Sequence, residues 1–240
     1  MKALQPVKII IDCAFISTGS NSRMEEQTEG DNNEMVMRVT FITKGFRLKE
    51  DGLVDLQDYV NSYIEMNKFF KVLGPFFQFI ARDVGVKLAI LQKYLDGSNR
   101  HHYSTVQSMI KYEKEKNLLT SSDRSSGART LLRVHRALDF VKDFIVEILN
   151  SSDSETFGKK VSSVYTKTLA KFHGPILANT LPKILLLMPS HQVILDRLSR
   201  GNTATETQLR AELLELVTAV NVVYNKTQQI YEENEIFDLP

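Results

Sequence analysis

Tryptophan is absent from this chain, and cysteine occurs once, at Cys13. The first absence removes the side chain best suited to stacking on a sugar ring. The second excludes an internal disulfide framework and a four-cysteine zinc site, and it fits a reducing compartment. Neither sign of charge dominates: 30 Lys and Arg face 29 Asp and Glu, for a net charge of +1. That balance argues against broad nucleic-acid binding. Long hydrophobic runs are also missing. The opening MKALQPVKIIIDCAF is interrupted by Asp12, too early for a secretory leader. The stretch from Ile176 to Met188 is very apolar, but it holds Pro182 and Lys183 and falls short of the ~20 residues needed to span a bilayer. It reads as a buried helix. No phosphate-binding glycine loop, GxSxG or HExxH occurs. His101-His102 has no cysteine or carboxylate at ligand spacing, so no metal, cofactor or enzymatic centre is expected.

What is present is helical periodicity. Residues 1–33 are polar and Ser/Glu/Asn-rich without period and read as a flexible tail, although Val7–Ile11 could dock as a short strand. Residues 34–240 then read as one all-α domain of eight or nine helices. The expected helices cover about 34–46, 53–73, 75–95, 103 to KYEKEKNLL, 128–149, 155–172 and 175–188. A short helix after Pro189 and a long one over about 204–233 complete the set. Gly74-Pro75, Asp96-Gly97 and His173-Gly174-Pro175 punctuate them. The apolar face expected for 53–73 is Leu56, Val60, Ile64 and Phe70, and that for 128–149 is Leu131, Val134, Leu138, Val141, Ile145 and Ile148.

Two helical stripes combine charge with oil. Asp83 and Lys87, four apart in FFQFIARDVGVKLAIL, continue the line of Phe76, Phe79 and Ile80. Arg129 and Arg133, four apart in GARTLLRVHRALDF, continue into Ala137, Phe140 and Phe144. The bland reading of the first pair is a surface ion pair contributing about 0.3–0.5 kcal/mol. For the second it is a solvated basic face to which Arg136 belongs. The sharper reading is an amphiphile site: the arginines repel one another unless an anion lies between them, and the planar guanidinium suits phosphate. Lys87 adds a third positive charge if the two helices pack side by side. Gly85 costs about 1 kcal/mol relative to Ala in mid-helix, which a close approach would explain, as would chance. A lone histidine such as His173 is more often structural than functional.

Together FFQFIARDVGVKLAIL, SSGARTLLRVHRALDF, SVYTKTLAKFHGPIL and VYNKTQQIYEENEIFDLP resemble the glycolipid transfer protein family, most closely its ceramide-1-phosphate transfer branch. The resemblance runs from about residue 35 to the C-terminus. It implies a two-layer, all-helical sandwich enclosing an apolar lipid pocket, with Phe76, Phe79, Ile80, Leu132, Phe140 and Phe144 as chain-lining candidates. It also implies that Asp83 accepts from the ceramide amide and hydroxyl, that His173 donates to the acyl carbonyl, and that Lys87, Arg129 and Arg133 hold a phosphate. Arg124 is a further candidate contact. Glycolipid-specific members place tryptophan where Arg133 stands. Members commonly carry an aromatic anchor just after the histidine, whereas this chain has Gly174, Pro175 and Ile176.

The expectation is therefore a non-enzymatic, cytoplasmic carrier of a phosphorylated sphingolipid. It binds membranes peripherally and transiently, needs no cofactor, and requires only a monomer. The rivals are a neutral glycosphingolipid carrier on the same fold and a lipid-sensing helical module that does not shuttle.

Overall fold

The computed structural model describes residues 37–74, 77–121, 125–151, 154–199 and 205–239. The expectations for residues 1–33 lie outside these, as do Phe76 and Arg124. Among the described residues are nine α-helices: α1 (Val39–Gly45), α2 (Leu56–Val72), α3 (Gln78–Asp96), α4 (Val106–Glu115), α5 (Gly127–Asn150), α6 (Ser154–Thr168), α7 (Pro175–Leu185), α8 (His191–Ser199) and α9 (Glu206–Glu233). Short 3-10 turns occupy Arg100–Tyr103 and Ala170–Phe172. Two isolated bridges, Leu48 with Val54 and Asp55 with Thr105, are the only β pairings among these residues. The all-α expectation holds.

Side-chain oxygens explain where several helices start. Asp55 accepts from the Asp58 N–H at 3.0 Å, and Ser126 accepts from the Arg129 N–H at 3.0 Å. Thr105 and Thr205 form reciprocal capping boxes with Ser108 and Gln208. Each cap satisfies orphan donors in the first turn and contributes about 1 kcal/mol. After α2 the chain turns at Gly74, whose φ of 112° suits glycine. The helix expected over about 155–172 ends at Thr168 and resumes as the Ala170–Phe172 turn, which shapes the approach to His173.

Neighbour relations give two layers. In one, α1, α2 and α3 lie side by side; in the other, α9, α5, α6 and α7 do. The layers face each other through α2 and α5, where Phe69 meets Phe144 edge-on at 5.0 Å and the Tyr63 hydroxyl donates to the Val134 carbonyl at 2.8 Å. Their edges close through α1 on α9 and α3 on α5. The expected α5 stripe, from Leu131 to Ile148, is wholly buried. On α2 Leu56, Val60 and Phe70 are buried as expected, but Ile64 is 45% exposed, and Tyr59, Tyr63, Met66 and Phe69 complete the buried face. The tyrosines fill the inter-layer space with large rings and so set the helix rotation. At Gly45 α1 comes so close to α2 that a Cβ would lie 2.0 Å from the Ser62 hydroxyl.

A second correction concerns α7. Its sequence reads as a buried helix, yet Ile176 is 67% exposed, and Leu186 and Leu187 just beyond its end are exposed as well. The helix lies at the end of its layer against α6, burying Thr180, Leu181 and Leu185, half-burying Leu177 and Ile184, and leaving Ile176 outside.

Candidate functional site

The facing layers leave a cavity of about 610 Å³ between α2, α3, α5, α7 and the Ala170–Phe172 turn. Phe70, Phe79, Ile80, Val84, Val134, Ala137, Phe140, Leu169, Phe172, Leu177 and Leu181 form its apolar wall. Asp83, Lys87, Arg133, Arg136 and His173 supply the polar part. A mostly oily pocket with a few convergent polar groups has the size and character of a small-molecule site.

Four sequence-predicted residues thus meet: Asp83, Lys87, Arg133 and His173. The i,i+4 spacing on α3 brings Lys87 Nζ to 2.5 Å from Asp83 Oδ2. The Asp83 side chain is 69% exposed and that of Lys87 20%, so the pair sits at the mouth, its carboxylate toward solvent. Asn67 of α2 steadies this turn, donating to the Ala81 carbonyl at 2.8 Å. A Cβ at Gly85 would lie 3.8 Å from Asn67 Nδ2, ordinary contact. Steric need for glycine is therefore absent, and nothing in the structure explains the residue.

Opposite, α5 presents Arg133, exposed, one turn before the apolar Ala137 and Phe140. Arg129 is half-buried and lies outside the cavity lining. Among the chain-lining candidates, Phe79, Ile80 and Phe140 face the cavity. Leu132 and Phe144 do not; both are fully buried in the core.

His173 follows the 3-10 turn, and its Nδ1 lies 2.8 Å from the Tyr165 hydroxyl. Burial pushes the imidazole below its ordinary pKa, with Asp83 opposing and Lys87 reinforcing the shift. The ring is therefore neutral at pH 7. In the tautomer that accepts from Tyr165 at Nδ1, the proton sits on Nε2, a donor suited to a carbonyl.

Arg136 corrects the reading of a solvated basic face. It is half-buried and lines the cavity. Its Nη2 donates to the carbonyls of Phe237 at 2.6 Å and Leu239 at 3.2 Å. Its guanidinium carbon lies 4.4 Å from the Phe172 ring centroid and 5.5 Å from that of Phe237. Burial lowers its pKa, with Asp238 opposing and Arg133 adding to the effect. Sequence reasoning also missed Phe70, Leu177 and Leu181, which lie on helices whose apolar faces do not reveal which residues meet the gap. The i,i+3 spacing from Arg133 to Arg136 was the one available signal. Among the described residues no group of three metal-ligating side chains occurs, and no helix is long and apolar enough to cross a membrane.

Comparison with known proteins places this geometry. The family model for Glycolipid transfer protein (GLTP) matches residues 54–200. The ceramide-1-phosphate transfer protein of Danio rerio is 32% identical over 197 residues, covering 80% of this chain and 92% of that protein. The crystal structure of mouse ceramide-1-phosphate transfer protein, in its apo-form, superposes with a TM-score of 0.79 at 30% identity, covering 85% of this chain and 100% of that one. The human ceramide-1-phosphate transfer protein in complex with 12:0 ceramide-1-phosphate gives a TM-score of 0.75 at 27% identity, covering 86% and 100%. Sequence and architecture agree over most of the chain, which belongs to the glycolipid transfer protein family.

Proposed function

We propose that this protein carries ceramide-1-phosphate between membranes without chemical change to the lipid. The observation that carries the reading is Arg133: a cation stands on the same cavity wall as Val134, Ala137 and Phe140, across from Lys87. An anionic head and hydrocarbon tails fit that division. The names of the Danio rerio and mouse relatives, and the lipid held by the human one, support it. Lys87 and Arg133 hold the phosphate, joined by Arg129 from the first turn of α5 and by Arg124. Asp83 accepts from the ceramide amide N–H and hydroxyl, and His173 donates from Nε2 to the acyl carbonyl.

Physics gives each part a task. A chain of ~16 carbons costs about 0.8 kcal/mol per CH₂ to expose to water, so the carrier must enclose it. An ester lipid lacks the amide N–H and would leave Asp83 without its donor, which favours ceramide over diacylglycerol. Exchange down a gradient requires neither covalent chemistry nor a cofactor. A single copy encloses the cavity, so a monomer suffices. Exposed Ile176, with the exposed lysines Lys167 and Lys171, provides a peripheral contact for a membrane surface on the cytoplasmic side.

Transfer of labelled ceramide-1-phosphate between phosphatidylcholine vesicles, compared with labelled galactosylceramide, tests the reading. Faster movement of the sugar lipid would favour a glycosphingolipid carrier. Tight binding with negligible transfer would favour a lipid sensor. Arg133→Leu should cut movement of the phosphorylated lipid about tenfold or more, the loss of one charge-assisted contact, with helical content unchanged by circular dichroism.

A further inference from the structure

We propose that Arg136 is a latch that fastens the C-terminal segment to the turn carrying His173, and thereby governs how long cargo stays in the cavity. The proposal rests on the reading of the cavity as the lipid site, but its mechanical part does not.

The chain after α9 folds back on the pocket wall. Ile236 is buried, and Phe237 and Leu239 pack against the core. Phe237 meets Phe172 edge-on with ring centroids 6.3 Å apart. Phe172 is the last residue of the Ala170–Phe172 turn, lines the cavity, and precedes His173. Arg136 joins the two. One nitrogen, Nη2, takes both the Phe237 and the Leu239 carbonyls, while the guanidinium carbon lies near both rings. A single side chain on rigid α5 therefore holds main chain from the C-terminal segment and an aromatic ring from the turn.

One further observation favours a fastening over a purely head-group role. The Arg136 Nη2 bonds go to carbonyls, and none of the ion pairs among the described residues involves this side chain. A lysine could not replace it, because an ammonium lacks the planar face that stacks between rings while donating at its edge. Arg136 is thus a positioning residue, acting on cargo through Phe172 and His173.

The test uses the full chain carrying Arg136→Met or Arg136→Lys, and a chain ending at Ile236. Lipid is supplied as fluorescent ceramide-1-phosphate and as fluorescent ceramide in phosphatidylcholine vesicles. Release is followed after mixing with unlabelled acceptor vesicles, and carboxypeptidase digestion reports on the C-terminal segment. Arg136→Met should release both lipids about tenfold faster and make the C-terminus digestible. Arg136→Lys should not restore the parent rate. Truncation should have the same effect, and combining it with Arg136→Met should add nothing. Slower uptake of the phosphorylated lipid alone, with a protected C-terminus, would overturn the latch and make Arg136 a head-group cation. If the parent chain retains neither lipid, the cavity reading fails, and digestion of Arg136→Met without lipid still decides whether the segment is latched. Should Arg136→Met not fold, Phe237→Ala removes the ring that the latch grips, and an unchanged release rate and protected C-terminus in that variant would overturn the proposal.

Discussion

Two neighbouring stretches of α5 treat polar groups in opposite ways. In its first turn the backbone N–H groups and the hydroxyls are matched. Glu113, fully buried on α4, accepts from the Tyr103 hydroxyl at 3.0 Å, the Ser126 hydroxyl at 2.5 Å, and the N–H groups of Gly127 and Ala128 at 2.8 and 3.2 Å. From α9 the Tyr231 hydroxyl donates to the Ala128 carbonyl at 2.6 Å. A carboxylate at a helix N-terminus also meets the positive end of the macrodipole. One to two turns later the same helix carries Arg133, exposed, and Arg136, with a buried Nε lacking a partner among the described residues. The anchored end holds the helix in register, so the cavity wall tolerates charges that cost stability in the empty protein. Loss of stability should therefore follow damage to the first turn, and loss of recognition damage to the wall.

The most severe break is Glu113→Ala. It strips four donors of their acceptor in a sealed site, and urea unfolding should show a loss of about 3–5 kcal/mol. A change within ~0.5 kcal/mol would mean that the first turn is no anchor. Acid should attack the sealed side of α5 next. His135, stacked on Tyr224 at 4.4 Å with Nε2 3.1 Å from Gln228 Oε1, has its pKa lowered to about 4, chiefly by burial. The unfolded chain then binds this proton more readily than the folded one. The contribution is complete above about pH 6.5 and is lost as pH falls towards 4, amounting to roughly 3 kcal/mol. Urea midpoints measured across that window should fall in the parent and fall less in His135→Phe. The mildest effect on stability belongs to the wall. Asp83→Val should move the unfolding free energy by less than about 0.5 kcal/mol, because the carboxylate it removes is largely solvated. It should nevertheless abolish binding of ceramide-based lipids in the vesicle assay. A large stability loss with intact binding would reverse the contrast.

The same contrast explains what the sequence made legible. The α5 stripe repeats at helical spacing and faces a continuous core, so periodicity alone placed Leu131 to Ile148. Asp83–Lys87 and Arg133 were legible because a charge inside an apolar stripe is costly and so draws notice. Arg136 was not, because its partners are backbone carbonyls about a hundred residues away. Ile64 and α7 misled for a related reason: an apolar residue records that it can be buried, and only the tertiary arrangement decides which ones are. Leu132 and Phe144 look equivalent to Phe140 in sequence. The gap between layers distinguishes them, and no local pattern encodes it.

The hydrogen bond from Asn67 to the Ala81 carbonyl has a mechanical consequence. It rivets α3 to α2 half a turn below Asp83, so the wall bearing the acidic and lysine groups travels with α2 as one body. Any swelling of the chamber to admit bulkier cargo must then come from the opposite wall. There α7 packs chiefly on α6 and the Ala170–Phe172 turn, and so is the wall element with the fewest restraints against displacement.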